Sequence, residues 1–211
     1  MRNTALHAAL DPLPLVAILR GIQPAEAQAV GQVLVDAGFG VLEVPLNSPR
    51  PFESIALLAR SFPRALVGAG TVRTVEEVRL VQEAGGALVV SPHFDPAVVE
   101  AAVRRGLAAL PGVVTPSEVF AALAAGASGL KLFPAEMIPP AAVKALRAVL
   151  PPEVLLLPVG GITPATMASY RSAGANGFGI GSALFQPGMD APAVARAARH
   201  FADAWAGTMR A

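Results

Sequence analysis

Short apolar runs return along the whole chain at a spacing that leaves room for one helix between neighbours. They are Leu15 to Leu19, Val41 to Val44, Leu66 to Ala69, Ala87 to Val90, Ala108 to Leu110, Leu130 to Phe133, Leu155 to Val159 and Gly177 to Ile180. They lack the polar alternation of half-exposed strands, as strands covered on both faces do. The Ala-rich segments between them place apolar residues at helical spacing. Eight such βα units in 211 residues predict a single (β/α)8 TIM-barrel domain over residues 1–211, compact beside the roughly 250 residues usual for that fold. The competing architecture is an open doubly wound sheet. It would commonly carry a Gly-rich dinucleotide turn after its first strand, where this chain has Arg20-Gly21-Ile22-Gln23.

Helix ends give a second, independent signal. Gly38, Gly85, Gly106, Gly126 and Gly174 each stand shortly before a strand candidate, where a left-handed residue closes the preceding helix. Thr74 with Glu77 and Thr115 with Glu118 have capping-box spacing, and Pro24, Pro96, Pro116 and Pro164 suit first-turn positions.

Composition narrows the partners. A chain that is 54% hydrophobic and 15% charged fits a sheet buried on both sides. A formal net charge of +1 without any block of like charge offers no footprint for nucleic acid or an anionic membrane. With no Cys, disulfides, thiolate metal sites and a cysteine nucleophile are excluded. Asp11, Pro12 and Pro14 break the first apolar residues before a signal-like core builds up. The long uncharged stretches after Val154 and Ser172 are studded with Gly, Pro, Ser, Thr and Asn. The expected setting is the cytoplasm, with no membrane span.

In a barrel, function gathers where strands end. Of 16 basic side chains only Lys131 and Lys144 are lysines, and Lys131 stands inside an apolar strand. Burial disfavours its ammonium and brings a nucleophilic amine within reach near neutral pH, which is how imine-forming lysines arise. The alternative is a lysine paired with a buried carboxylate or reaching outward. Lys144 is expected on a solvated helix face or a subunit contact. Glu43, in the second strand, is the matching carboxylate and a candidate acid/base for imine chemistry, or a structural partner of Lys131 or Arg20. Gly160 and Gly161 end the seventh strand, and Gly181 and Ser182 follow the eighth. That corner suits phosphate, because glycines let backbone N–H groups approach its oxygens. Arg20 after the first strand and Thr71 after the third are candidate ligands for a substrate carboxylate. Arg20 could instead form a salt bridge, and Thr71 a helix cap. His7, His93 and His200 are too far apart in sequence to support a metal cluster or a His-based triad. Tyr170 and Trp205 are expected to pack.

With these residues in view, the chain resembles the bacterial class I 2-keto-3-deoxy-6-phosphogluconate and 6-phosphogalactonate aldolases over almost its whole length. The segments that carry the resemblance are Ala17-Ile18-Leu19-Arg20-Gly21, Leu42-Glu43-Val44-Pro45-Leu46, Val67-Gly68-Ala69-Gly70-Thr71-Val72, Leu110-Pro111-Gly112, Leu130-Lys131-Leu132-Phe133-Pro134, Val159-Gly160-Gly161 and Gly181-Ser182. The resemblance implies Lys131 as imine lysine, Glu43 as acid/base, Arg20 and Thr71 as substrate ligands, and Gly160, Gly161, Gly181 and Ser182 as the phosphate site. It also implies a homotrimer with no metal and no cofactor. The products would be pyruvate and glyceraldehyde 3-phosphate from a phosphorylated keto acid. Asn47 and Val159 look like the galactonate branch, where gluconate-type relatives often carry Arg and Thr. Three other readings stay open: the gluconate epimer as main substrate, an isomerase or epimerase using Glu43 without covalent catalysis, and a non-catalytic metabolite sensor.

Overall fold

The structure is a computed structural model describing residues 3–208; residues 1–2 and 209–211 of the expected domain lie outside the described residues. A short helix α1 (Thr4–Leu10) comes first. Strands and helices then alternate: β1 (Leu15–Ile18), α2 (Pro24–Asp36), β2 (Val41–Pro45), α3 (Pro51–Ser61), β3 (Leu66–Gly70), α4 (Val75–Glu83), β4 (Leu88–Val90), α5 (Pro96–Arg104), β5 (Ala108–Leu110) and β6 (Gly112–Val113). Next come α6 (Pro116–Ala124), β7 (Leu130–Leu132), a 3-10 turn (Ala135–Met137), α7 (Pro140–Arg147), β8 (Leu156–Pro158), α8 (Pro164–Ser172), β9 (Phe178–Ile180) and α9 (Ala191–Gly207).

Local chemistry accounts for most of these boundaries. Thr74 and Glu77, and Thr115 and Glu118, form reciprocal capping boxes. Pro24, Pro96, Pro116 and Pro164 open their helices. Gly38, Gly85, Gly106, Gly126 and Gly174 all take positive φ just past helix ends. Helix α1 was not expected from the sequence. It is seven residues long, capped by the Asn3 side chain accepting from the Leu6 N–H at 3.0 Å, and it buries Leu6 and Leu10.

All strand pairings are parallel, the mark of an α/β fold. Six strands lie in the order β5-β4-β3-β2-β1-β9 and three in the order β6-β7-β8. The two sheets approach each other at both ends. Pro111 alone separates β5 from β6, and a parallel bridge joins Val159, just past β8, to Gly179 of β9. The eight expected runs therefore appear as nine strand segments. The fifth, Ala108 to Leu110, is β5 whole, and the unexpected β6 follows it past Pro111, which has no N–H to give the ladder. Its carbonyl still accepts from the Lys131 N–H at 3.0 Å.

Successive strand residues face opposite sides, and here the two sides form separate apolar clusters. Leu15, Ala17, Leu42, Val44, Leu130, Leu132 and Leu156 belong to the larger one, which packs under the helices. Val16, Ile18, Val41, Leu66, Leu88, Val90, Ala108, Leu110, Leu157 and Val159 form the smaller one together with Leu6 and Leu10 of α1. Helix α1 therefore underlies this smaller cluster, and a Cβ on Gly40 would come 3.0 Å from the carbonyl carbon of Ala9. Among the described residues no helix is long and apolar enough to cross a membrane.

Candidate active site

Strand alternation decides where the two unusual charges point. Leu42 and Val44 face the helices, so Glu43 faces the smaller cluster; Leu130 and Leu132 do the same for Lys131. Both are enclosed, Glu43 being 2% exposed and Lys131 5%. They share a small cavity of about 10 Å³ walled by Val16, Val90, Leu110, Leu157, Val159 and Gly179. Burial in this apolar setting pushes the Glu43 carboxyl above its ordinary range, opposed by the positive charges of Lys131 and then Arg20. Burial likewise pushes the Lys131 ammonium below its ordinary range, with Glu43 pulling it back and Arg20 pushing it further down. The Lys131 Nζ also lies 4.5 Å from the centroid of the Phe133 ring. The ion pairs among the described residues join Arg50 to Glu53, Arg79 to Glu76 and Glu83, and Arg104 to Glu100, on surface helices. Glu43 and Lys131 thus act on each other through space without a contact ion pair.

Glu43 owes its place to Gly70. A methyl there would overlap its Oε1 and lie 2.5 Å from its Cδ and 2.9 Å from its Cγ. The last residue of β3 is bare so that the carboxyl can lie across it.

Adjoining this small cavity, a cleft of about 260 Å³ lies at the C-terminal strand ends. Its lining includes Lys131, Arg20, Gly160, Gly161, Gly181 and Ser182. Six of the eight residues singled out in the sequence therefore meet on one wall, and Lys131 belongs to both cavities. Among the described residues, the N–H groups of Gly161, Ile162, Ser182 and Ala183 find no acceptor within the chain. These donors fall on the turns that end β8 and β9, as an anion seat requires. Sequence reasoning did not single out Ile18 or Phe133 as site residues and gave Val159 only as a mark of the epimer, yet all three share the lining. Their positions beside strand ends were the available signal.

Arg20 extends into the exposed rim, where its Nη1 donates to Asn47 Oδ1 at 2.8 Å. The expected alternative of a salt bridge is not what holds it. One residue on, the Gly21 N–H donates to Ser48 Oγ at 2.9 Å, so the loops after β1 and β2 are tied at two points. Thr71 lines neither cavity. It sits half-buried past β3 with φ 59°, a left-handed conformation that a β-branched residue takes only under constraint. It does not cap the following helix; Thr74 does. His93 is exposed at the rim, and Lys144 is exposed on α7. Tyr170 and Trp205 pack edge-on against Phe178 from either side, and the Tyr170 hydroxyl donates to the Ala135 carbonyl at 3.0 Å.

The family model for KDPG and KHG aldolase matches residues 6–199. The chain belongs to this aldolase family. A protein of Rhizobium meliloti (strain 1021) described as a probable 2-dehydro-3-deoxy-6-phosphogalactonate aldolase is 48% identical over 179 residues, 84% of each chain. A solved structure described as native KDPGal superposes with a TM-score of 0.92 at 41% identity, covering 94% of this chain and 97% of its own. The KDPG aldolase of Legionella pneumophila, solved with pyruvate captured at low pH as a covalent carbinolamine intermediate, gives a TM-score of 0.74 at 26% identity, covering 96% and 95%. The KDPG and KHG aldolase resemblance read from the sequence thus holds at the level of the family, over residues 6–199.

Proposed function

We propose that this aldolase cleaves 2-dehydro-3-deoxy-6-phosphogalactonate to pyruvate and glyceraldehyde 3-phosphate through a Schiff base on Lys131. One observation carries the reading: Lys131 is the charged side chain that lines both the larger cleft and the small cavity holding Glu43. Its amine, held below the ordinary lysine range by burial, attacks the C2 keto carbon to give a carbinolamine. Such an adduct is what the Legionella relative holds with pyruvate. Glu43, whose carboxyl burial pushes above its ordinary range, donates the proton that lets water leave as the iminium forms. The iminium then accepts the electron pair of the C3–C4 bond as the C4 hydroxyl loses its proton. Glyceraldehyde 3-phosphate departs and pyruvate remains as an enamine. Protonation at C3 and addition of water release pyruvate and restore the amine.

In this reading Arg20 and Thr71 hold the substrate carboxylate, Arg20 steadied by Asn47. The N–H groups around Gly160, Gly161, Gly181 and Ser182 hold the phosphate. No metal or cofactor enters the scheme. Asn47 and Val159 favour the galactonate epimer, as do the names of the Rhizobium relative and the native KDPGal structure. We also infer that the nine strand segments make eight staves of one closed (β/α)8 domain; the single-residue gap at Pro111 and the Val159–Gly179 bridge support this. A homotrimer is part of the same reading, supported by an apolar face where Phe120 and Val149 are 49% and 60% exposed. A cytoplasmic place of work fits a phosphorylated acid.

The test is chemical trapping. Incubation with pyruvate and borohydride should leave a reduced adduct that peptide mass spectrometry places on Lys131. Lys131→Arg should give neither adduct nor turnover, since a guanidinium stays protonated. An unmodified Lys131 in active enzyme would instead favour non-covalent chemistry at Glu43. Steady-state rates on the two pure epimers decide substrate choice, and a gluconate preference would overturn it.

A further inference from the structure

The turn that seats the phosphate in the reading above has a negative charge packed against it. Glu136 lies on the 3-10 turn after β7, and its side chain crosses to the turn after β8. A Cβ on Gly160 would come 3.1 Å from Glu136 Cδ; one on Gly161 would come 3.1 Å from Oε1 and 3.2 Å from Cγ. Both glycines have positive φ, 110° and 60°, so contact with Glu136 and backbone shape together demand glycine. Gly160 and Gly161 line the cleft whereas Glu136 does not. The carboxylate therefore packs against the turn without lining the cleft. None of the ion pairs among the described residues includes Glu136. Its charge also reaches Tyr170, whose phenol is pushed up first by burial and then by Glu136.

We propose that Glu136 limits how tightly the cleft holds a phosphoryl group, acting through the Gly160–Gly161 turn to let the phosphorylated product leave. The inference rests on the glycine corner being the phosphate seat. A dianion in the cleft shares the turn with this carboxylate. At the dielectric of a protein surface and physiological salt, like charges that close weaken binding about three- to tenfold. The donors at the turn grip substrate and product alike, and such uniform binding speeds nothing once the product must dissociate. A carboxylate packed against the turn moderates that grip without occupying the cleft.

The probe is inorganic phosphate, titrated into ¹⁵N-labelled full-length protein while the Gly160 and Gly161 amide resonances are followed. Glu136→Gln, nearly isosteric and on an exposed side chain, should lower the phosphate Kd about three- to tenfold, with the difference shrinking as salt rises. Glu136→Asp, which keeps the charge, should stay near wild type. A Glu136→Gln Kd equal to or weaker than wild type, or a difference indifferent to salt, would overturn the proposal. If neither glycine amide of the wild-type protein responds to phosphate, the seat itself is misplaced and this inference falls with it.

Discussion

Gly70→Ala isolates the position of Glu43 from its chemistry. Gly70 does not have positive φ, so alanine is compatible with the backbone. The new methyl would overlap Glu43 Oε1 and stand 2.5 Å from its Cδ, distances no relaxed structure keeps. The β3 backbone is fixed by its pairing with β2, where Gly70 lies opposite Pro45, so the Glu43 side chain must yield. Its walls are mostly aliphatic and the cavity, about 10 Å³, admits no more than about one water-sized body, so the carboxyl can swing aside only by disturbing them. Overpacking of this kind costs about 1–3 kcal/mol, which in a chain of this size lowers Tm by roughly 2–12 °C. The catalytic cost is larger, because a displaced acid/base forfeits about 10²- to 10⁴-fold in kcat. Gly70→Ala should therefore resemble Glu43→Gln in kcat while keeping the Glu43 carboxyl in the chain. Steady-state kinetics with calorimetry on the same preparation tests this. A Gly70→Ala enzyme that stays folded and turns over within threefold of wild type would show that the place of Glu43 is immaterial, and the acid/base assignment would fall.

Lys131→Met should raise Tm near neutral pH by a few degrees, since burial disfavours the ammonium that the substitution removes. Its folded pKa lies below the unfolded 10.5, so wild-type stability rises with pH through that window and the advantage of the variant should vanish near pH 10.5; a pH-independent difference in calorimetry would contradict this. Thr71→Gly relieves a left-handed β-branched residue and should stabilise the fold by about 1 kcal/mol net of glycine's entropy while raising KM. A fall in Tm would show that Thr71 makes compensating contacts. Phe120→Glu should lower the sedimentation mass of the assembly, and unchanged sedimentation would remove this face as the interface.

Much of the site was legible because each residue carried a local anomaly. Lys131 and Glu43 are charges in apolar strands, and alternation alone turns both toward the same cluster. Helix boundaries were legible for the same reason, since caps and glycines act within a few residues. What escaped the sequence depends on separation in the chain. Glu136 meets Gly160 and Gly161 only because a 3-10 turn and the end of β8 fold together. Asn47, read in the sequence as a mark of substrate choice, proves also to brace Arg20. Thr71 was chosen for its hydroxyl, yet its distinguishing property is its backbone. The break at Pro111 and the helix α1 were hidden too, one by a residue between two apolar pairs, the other by brevity.

Helix α1 lies farthest in sequence from the glycine corner, yet the chemistry at Lys131 leans on it. Its Leu6 and Leu10 stopper the aliphatic shaft whose upper rungs surround the amine and the carboxyl. Were that stopper withdrawn, water rising from below would weaken the burial that moves both groups from their ordinary ranges. On the proposed mechanism the reactivity of the mouth is thus upheld by the dryness of the floor, and an alteration in helix α1 reaches the bond-breaking step without touching any ligand.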